Sequence, residues 1–242
     1  MIFHIRHTGE TNSTNEDVAR ELGTPGGDGL VVVADFQRRG TGRKGRPWVA
    51  PAGSALLFTA ALPRSVPLDV LWVIPFWTAL AVGDAMAAFG VTATLQWPND
   101  LLLAGRKVGG ILCISRVCGD RAHVGCGVGI NVRRVDDPAL RDLEPPPAFL
   151  SDRIDVDART LLDAILLQFE RSLALLDAPT TIAERWQRAA NVPGVRYRIL
   201  ADDATDPFEA TALRLAENGS LVVDDGRGER TVSLADARIL RH

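Results

Sequence analysis

The chain has 242 residues, of which 46% are hydrophobic and 24% charged, a composition typical of a globular protein with enough apolar material for a core. Its net charge of −3 at neutral pH argues against a general nucleic-acid binder. No apolar run approaches the roughly 20 residues that cross a bilayer, and the start has no basic segment leading into an apolar one, so we expect a cytoplasmic protein without a membrane segment.

The first half of the chain predicts alternating strands and helices. The segment Ser13-Thr14-Asn15 is expected to cap a helix whose first turn carries Glu16 and Asp17. The apolar, β-branched run at residues 30–34 and the run at 55–62 predict strands. Residues 68–89 predict a long buried helix, disturbed near Pro75. Residues 108–117 and 122–132 predict a hairpin that turns at Gly119-Asp120.

The second half predicts a change of architecture. Four prolines within residues 138–147 indicate an exposed, mobile loop. Helices are expected at residues 158–176 and 182–190, whereas short β-like runs after residue 195 are typical of a small barrel. Because the chain exceeds the usual size of one domain, we expect a larger domain at 1–190 and a small β-barrel domain at 195–242.

Cysteine and histidine give no sign of a metal or redox centre. Cys113, Cys118 and Cys126 lack the close spacing of such sites, and the hairpin sets Cys113 opposite Cys126. We interpret all three as small buried hydrophobic residues in a reducing compartment. The four histidines are scattered and form no ligand set, so metal-binding residues remain unknown.

Lysine occurs only at Lys44 and Lys107, against 25 arginines, and both lie in glycine-flanked basic segments. The first segment places five positive charges and three glycines between residues 38 and 46. Glycines let backbone amides approach a ligand, and the forked donors of arginine fit carboxylate and phosphate oxygens. The pattern favours a nucleotide phosphate over a nucleic-acid backbone or a solvated turn. The G-x-x-x-x-G-K-[ST] loop is absent, and although residues 40–45 satisfy G-x-G-x-x-G, Pro47-Trp48 and the predicted strand after them argue against a dinucleotide-binding fold.

The second lysine follows a Trp-Pro-Asn-Asp segment at the end of a predicted strand. Asn99 and Asp100 are short polar residues expected at a sheet edge. Lys107 comes seven residues after Asp100, on the return of a tight turn, so that ammonium and carboxylate can reach one side of a cleft. A surface salt bridge is the alternative. In the functional interpretation, Lys107 holds a substrate carboxylate and an α-phosphate together and reduces their repulsion.

These motifs together resemble those of the biotin–protein ligases. The family's GRGRxGRxW loop is similar to residues 40–48, its KWPND and KxxGIL elements to 96–100 and 107–112, its STN element to 13–15, and its GxGxN strand to 127–131. The resemblance implies an α+β, class II synthetase-like catalytic domain, in which a mixed, mainly antiparallel sheet packs with helices, and a small C-terminal SH3-like β-barrel. No winged helix precedes Ser13, so we expect the form without a DNA-binding domain.

The resemblance implies an adenylate-forming biotin–[acetyl-CoA-carboxylase] ligase. Biotin and Mg-ATP would give biotinyl-5′-AMP, and a lysine of a biotin carboxyl carrier protein would then accept the biotinyl group; a homodimer is left open. Lys107, Arg43 and Asp100 are the expected catalytic residues. The resemblance assigns biotin contacts to Ser13, Thr14, Asn15, Gln37, Thr41, Gly42, Arg43, Lys107 and Gly110. It assigns ATP or adenylate contacts to Arg43, Arg46, Trp48, Asn99, Lys107 and Asn131.

Two departures from the family pattern keep alternatives open. Thr41 replaces the usual arginine and removes one anion contact, which leaves room for a biotin or nucleotide sensor without turnover. Gln96 replaces a frequent lysine, and we expect this change to be tolerated.

The second alternative is a lipoate or octanoate ligase or transferase, whose families resemble this one in catalytic fold. The transferase needs a reactive cysteine, and none of the three here has an adjacent base.

Overall fold

The computed structural model describes residues 2–141, 143–202, 204–234 and 237–240, and its largest feature is an eight-stranded mixed sheet. The strand order is β1-β2-β3-β8-β7-β6-β5, with β4 paired to β8; β1 and β2 run parallel and every other pair is antiparallel. The strands are β1 (His4–Thr11), β2 (Leu30–Gln37), β3 (Ala55–Ala61), β4 (Val66–Pro67), β5 (Thr94–Gln96), β6 (Asp100–Leu103), β7 (Arg106–Cys118) and β8 (Arg121–Asn131).

Helices cover this sheet and bury its apolar face. They are α1 (Thr14–Glu21), α2 (Ile74–Ala88), α3 (Pro138–Arg141), α4 (Ala158–Ser172) and α5 (Pro179–Ala189). A 3-10 segment, Leu68–Val73, leads into α2, so the predicted disturbance near Pro75 lies at the start of the α-helical part. Asp157 caps α4 by accepting a hydrogen bond from the Thr160 amide at 2.8 Å. Trp77 and Phe169 pack against each other with ring centroids 4.7 Å apart and join α2 to α4.

The helical stretch Leu68–Ala88 corrects one prediction from the sequence. It has a mean hydropathy of 1.6 and is long and apolar enough by composition to cross a bilayer, although we expected no such run. However, 67% of its most apolar window is buried inside the protein. A helix that is hydrophobic all round is buried in a core or in a membrane, and here the surrounding protein supplies the apolar environment.

From residue 196 onward, the described chain forms a separate antiparallel sheet of five strands, β9 to β13, in the order β12-β11-β10-β9-β13. This arrangement fits the expected small C-terminal β-domain. It packs on the larger unit: Tyr197 and Ile199 are buried in the main core, and Trp97 Nε1 donates to the Gly219 carbonyl at 3.1 Å. Its strands are β9 (Arg196–Ala201), β10 (Phe208–Leu215), β11 (Leu221–Asp224), β12 (Glu229–Val232) and β13 (Ala237–Leu240).

Several local predictions can be compared with the structure. The β7–β8 hairpin is confirmed and pairs Cys113 with Cys126. Of the three cysteines expected to be buried, only Cys126 is; Cys113 is half-buried and Cys118 is exposed. Ser13 occupies the position that precedes α1, yet its side chain makes no capping hydrogen bond. The predicted loop at 138–147 contains the short α3 and, rather than being wholly exposed, contributes residues to a cavity.

Candidate active site

One cavity of about 590 Å³ lies between the β7–β8 hairpin, the glycine-rich basic segment at residues 38–46, called the basic loop below, and the C-terminal sheet. Every residue that the sequence analysis assigned to biotin, ATP or catalysis lines it, although these residues span positions 13 to 131. Their assigned roles remain predictions. The residues that were assigned a role and that line the cavity are Ser13, Thr14, Asn15, Gln37, Thr41, Gly42, Arg43, Arg46, Trp48, Asn99, Asp100, Lys107, Gly110 and Asn131.

At one end of the cavity, a hydrogen-bond network fixes the start of α1. Gln37 Oε1 accepts hydrogen bonds from the Thr14 amide at 2.7 Å and from its hydroxyl at 3.1 Å. The hydroxyl of Thr59, on β3, lies 2.8 Å from Thr14 Oγ1 and 2.7 Å from Asn15 Oδ1. Asn15 Nδ2 donates to the Leu112 carbonyl of β7 at 3.1 Å. Because each side chain is held by another, this end presents polar groups in fixed directions.

Glycines give this network and the basic loop room to approach the sheet. A Cβ at Gly127 would lie 2.3 Å from Asn15 Oδ1 and 2.6 Å from the Leu112 carbonyl oxygen. A Cβ at Gly129 would lie 2.8 Å from the Trp48 indole, and one at Gly110 would lie 3.2 Å from Trp48 and from Lys107 Nζ. The absence of side chains at these positions therefore lets Asn15 and Trp48 pack directly on the sheet.

Lys107 and Asp100 form an ion pair inside the cavity. Lys107 Nζ lies 2.5 Å from Asp100 Oδ1, and Nζ also lies 5.2 Å from the centroid of the Trp48 ring. Burial, reinforced by the positive charge of Arg46, lowers the pKa of Lys107 to about 8. The Asp100 carboxylate acts in the opposite direction because an opposite charge favours the protonated amine. The ammonium form therefore dominates at neutral pH and is available to an anionic ligand.

The basic loop is a closed turn that faces the cavity. Thr41 bridges to Pro47, the Gly42 amide donates to the Arg46 carbonyl at 2.7 Å, and Lys44 adopts a left-handed conformation with φ of 57°. Burial and the neighbouring Arg46 lower the pKa of the Arg43 guanidinium, which shows how close these cations are. The loop thus places Arg43 and Arg46 together at the cavity wall, where an anion would relieve their repulsion.

The same loop is attached to the C-terminal sheet. Arg43 Nη2 donates to the Leu234 carbonyl. Lys44 does not line the cavity; its Nζ instead lies 2.5 and 2.6 Å from the two carboxylate oxygens of Asp202, which follows β9. The two lysines therefore occupy different environments, one inside the cavity and one on a bridge between the loop and the second sheet.

Asn99 and Asn131 line the cavity but also brace its walls. Asn99 Nδ2 donates to the Ile111 carbonyl at 2.6 Å, and the Ile111 amide donates back to the Asn99 carbonyl at 2.9 Å. Asn131 Nδ2 donates to the Ala148 carbonyl at 3.1 Å, and the Ala148 amide donates to the Lys107 carbonyl at 2.8 Å. Both asparagines therefore help to hold the strand that carries Lys107.

Several cavity residues were not singled out by sequence reasoning. Thr59 lies behind the cavity wall in an apolar strand, and only its hydrogen bonds with Thr14 and Asn15 give it a role. Gly127 and Gly129 were part of a recognised motif, and their alternation on one strand was the signal that one face had to stay open. Long-range folding brings in a further group from the second half of the chain, which consists of Leu143, Glu144, Pro145, Pro147, Arg198, Ile239 and Leu240.

The described residues form no metal-ligand cluster, and Cys113 is held in its protonated form. Across the part of the chain that the structure describes, no three His, Cys, Asp or Glu side chains cluster as a metal site would require. A hydrogen bond with Cys126, together with burial, holds the pKa of the Cys113 thiol well above its usual value. A protonated thiol is a poor nucleophile, and none of the three cysteines is among the residues that line the cavity.

Comparisons with known proteins agree with this geometry. The model of the biotin/lipoate A/B protein ligase family matches residues 9–131. A biotin–[acetyl-CoA-carboxylase] ligase from Paracoccus denitrificans is 31% identical, covering 93% of this chain and 96% of its own, and one from Mycobacterium tuberculosis is 30% identical, covering 96% and 87%. The structure of a biotin protein ligase from Aquifex aeolicus in complex with biotin and ATP shares the fold with a TM-score of 0.78, at 22% identity over 99% of both chains.

Proposed function

The chain belongs to the biotin/lipoate A/B protein ligase family, and from that premise we propose that it activates biotin as biotinyl-5′-AMP and transfers it to a lysine of a biotin carboxyl carrier protein. The observation that carries the proposal is the convergence of Lys107, Arg43 and Arg46 with the polar network around Asn15 in one cavity. That arrangement offers cations for a carboxylate and a phosphate beside a rigid pocket for an uncharged ring system.

In the first step, the biotin carboxylate attacks the α-phosphorus of ATP and pyrophosphate leaves. Both reactants are anions, so a cation that touches both lowers the barrier. Lys107 is suited to this role because its ammonium is largely buried and held by Asp100 at 2.5 Å. Arg46 is suited to the phosphates, since its charge lies close enough to Lys107 to lower the pKa of that lysine. Arg43, in the basic loop, would retain the adenylate.

In the second step, the neutral ε-amine of the carrier lysine attacks the biotinyl carbonyl. A carbon–nitrogen bond forms, the bond from that carbon to the AMP oxygen breaks, and AMP leaves with the electron pair. The proton that the nitrogen loses on becoming an amide passes to water. Asp100 lies at the cavity wall and is 9% exposed, so its carboxylate can orient the incoming amine while it holds Lys107. Thr41, Trp48 and the segment at 143–147 surround the cavity and would limit hydrolysis of the mixed anhydride.

Magnesium is expected to arrive with the nucleotide. Mg²⁺ keeps several waters and is usually bound by one or two carboxylates together with substrate phosphates. The cavity supplies two carboxylates, Asp100 and Glu144, and Asp100 is already paired with Lys107. This donor set fits a cation carried by ATP better than a resident ion. When bound, Mg²⁺ would neutralise part of the phosphate charge. We place the reaction in the cytoplasm, where ATP and the carrier protein would be found.

Biotin-dependent exchange of label between pyrophosphate and ATP tests the first step. Exchange with biotin, but not with lipoate or octanoate, supports the proposal, and intact mass of a supplied carrier domain tests the second step. Exchange that responds only to lipoate or octanoate would assign the chain to the other branch of its family. Binding of biotin without any exchange would indicate a sensor, the alternative that Thr41 leaves open.

A further inference from the structure

A buried hydroxyl, that of Thr59, lies behind the end of the cavity that carries Thr14 and Asn15. Thr59 belongs to β3, is 0% exposed and does not line the cavity, whereas Thr14 and Asn15 do. Its Oγ1 lies 2.8 Å from Thr14 Oγ1 and 2.7 Å from Asn15 Oδ1, in position to donate to either oxygen. Thr59 therefore touches two polar groups that face a ligand without reaching the ligand itself.

Neighbouring groups decide that both of these partners are acceptors toward Thr59. The Leu112 carbonyl can only accept, so the Asn15 atom that contacts it at 3.1 Å is the amide nitrogen, and the amide oxygen faces Thr59. The Thr14 hydroxyl donates its proton to Gln37 Oε1 at 3.1 Å, so Thr14 Oγ1 can only accept from Thr59. Both oxygens thus depend on Thr59 for a proton.

Thr59 cannot serve both oxygens at once. A threonine hydroxyl carries one proton, so when Thr59 donates to Asn15 Oδ1, Thr14 Oγ1 lacks a donor, and the reverse holds. Among the hydrogen bonds of the described residues, Thr59 supplies the one donor to either oxygen. One acceptor at this end of the cavity is therefore left for a donor that the ligand brings.

This count of protons separates the candidate substrates. The cyclic urea of biotin carries two N–H groups, either of which can meet the remaining acceptor. The dithiolane ring of lipoate and the hydrocarbon chain of octanoate carry no N–H group. A site built to meet a substrate N–H rejects an analogue that lacks one, because the acceptor then stays buried and unpaired.

We propose that Thr59 is a positioning residue that selects biotin over lipoate and octanoate. Its hydroxyl holds Thr14 and Asn15 as acceptors and leaves one of them for an N–H of the cyclic urea. The inference rests on the proposed function and adds to it a residue outside the cavity wall. Because Thr59 acts only through its two neighbours, it affects the recognition of the ring and not the attack on the α-phosphorus.

The test compares Thr59→Val with Thr78→Val, since valine keeps the shape of threonine and removes the hydroxyl. Thr78 is also 0% exposed, donates to the Ile74 carbonyl at 2.8 Å within α2 and does not line the cavity, so it controls for the loss of a buried hydroxyl. In biotin-dependent exchange, Thr59→Val should raise the KM for biotin about tenfold, the equivalent of one hydrogen bond, with kcat and the KM for ATP unchanged. Thr78→Val should keep the parent KM values.

Lipoate and octanoate, added as competitors of biotin, report selectivity directly. Neither has an N–H group to lose, so their inhibition constants should be the same in Thr59→Val as in the parent protein. The preference for biotin should therefore fall about tenfold, in step with the KM for biotin. A merely structural role would weaken the binding of all three acids together, and that result would overturn the inference.

A second pair of variants keeps the test valid if Thr59→Val does not fold. Thr59→Ser and Thr59→Cys both lack the methyl group and differ in one atom, and a thiol is a weak donor. Thr59→Ser should retain a KM for biotin near the parent value, whereas Thr59→Cys should raise it. Equal KM values in this pair, or an equal rise in Thr78→Val and Thr59→Val, would overturn the inference. Absence of biotin-dependent exchange in the parent protein would instead refute the proposed function.

Discussion

Gly127 offers the sharpest test of the pocket geometry. In Gly127→Ala, the added Cβ would lie 2.3 Å from Asn15 Oδ1 and 2.6 Å from the Leu112 carbonyl oxygen, well inside contact distance. Leu112 is the register partner of Gly127 on β7, so its backbone oxygen cannot move without disturbing the hairpin. The Asn15 side chain must therefore leave its position at the end of the cavity that we assign to biotin.

The size of the effect follows from the contacts that Asn15 would lose. It makes one hydrogen bond with Thr59 at 2.7 Å and one with Leu112 at 3.1 Å. At about 1 kcal/mol each, these amount to about 2 kcal/mol, and overpacking adds about 1–3 kcal/mol of destabilisation. These terms lower the free energy of unfolding. Biotin binding weakens separately, because the displaced Asn15 amide no longer donates to biotin; a loss of about 1.4 kcal/mol for that hydrogen bond corresponds to a rise of about tenfold in the KM for biotin.

Gly129→Ala is the matched control, because it places the same methyl group two residues along the same strand. Its Cβ would lie 2.8 Å from the Trp48 indole rather than against Asn15. In the exchange assay, Gly127→Ala should raise the KM for biotin, whereas Gly129→Ala should mainly raise the KM for ATP. Equal effects of the two substitutions on both substrates, or an unchanged KM for biotin in Gly127→Ala, would refute the assignment of the Asn15 side of the cavity to biotin and of the Trp48 side to ATP.

Three further predictions concern the cations. Lys107→Met should reduce exchange about a hundred- to a thousandfold while circular dichroism shows an intact fold, because it removes the charge shared by carboxylate and phosphate; full exchange in this variant would contradict the role of Lys107. Because burial lowers the pKa of Lys107 to about 8, kcat/KM for exchange should fall as the pH rises through that value and the ammonium loses its proton, and a profile that stays flat well above that pH would argue against a charged Lys107. Arg43→Ala should speed escape of the adenylate, seen by mass spectrometry as biotin on bystander proteins, and no increase in such labelling would mean that Arg43 does not retain it.

The sequence predicted much of the larger unit because its signals are local. The helix predicted at residues 68–89 and the hairpin that turns at Gly119-Asp120 both follow from patterns among neighbouring residues. β1 (His4–Thr11) was not predicted, because its residues are mostly polar and lie at the sheet edge, where no alternation of buried and exposed side chains is required. Ser13 was assigned to capping by residue type alone, whereas its side chain makes no such bond.

By itself, the sequence determined which residues are candidates for the chemistry, since glycine, arginine and both lysines are grouped there in short motifs whose members stay close in any fold. Only the tertiary structure decided how separate motifs meet. Arg43 reaches Leu234 across 191 positions, and Asn15 reaches Leu112 across 97. Such contacts depend on how sheets pack and on which backbones can approach closely at glycine, and neither property is written in the residues of one segment. For that reason the presence of Arg198, Ile239 and Leu240 in the cavity wall becomes visible only once the second sheet is docked against the basic loop.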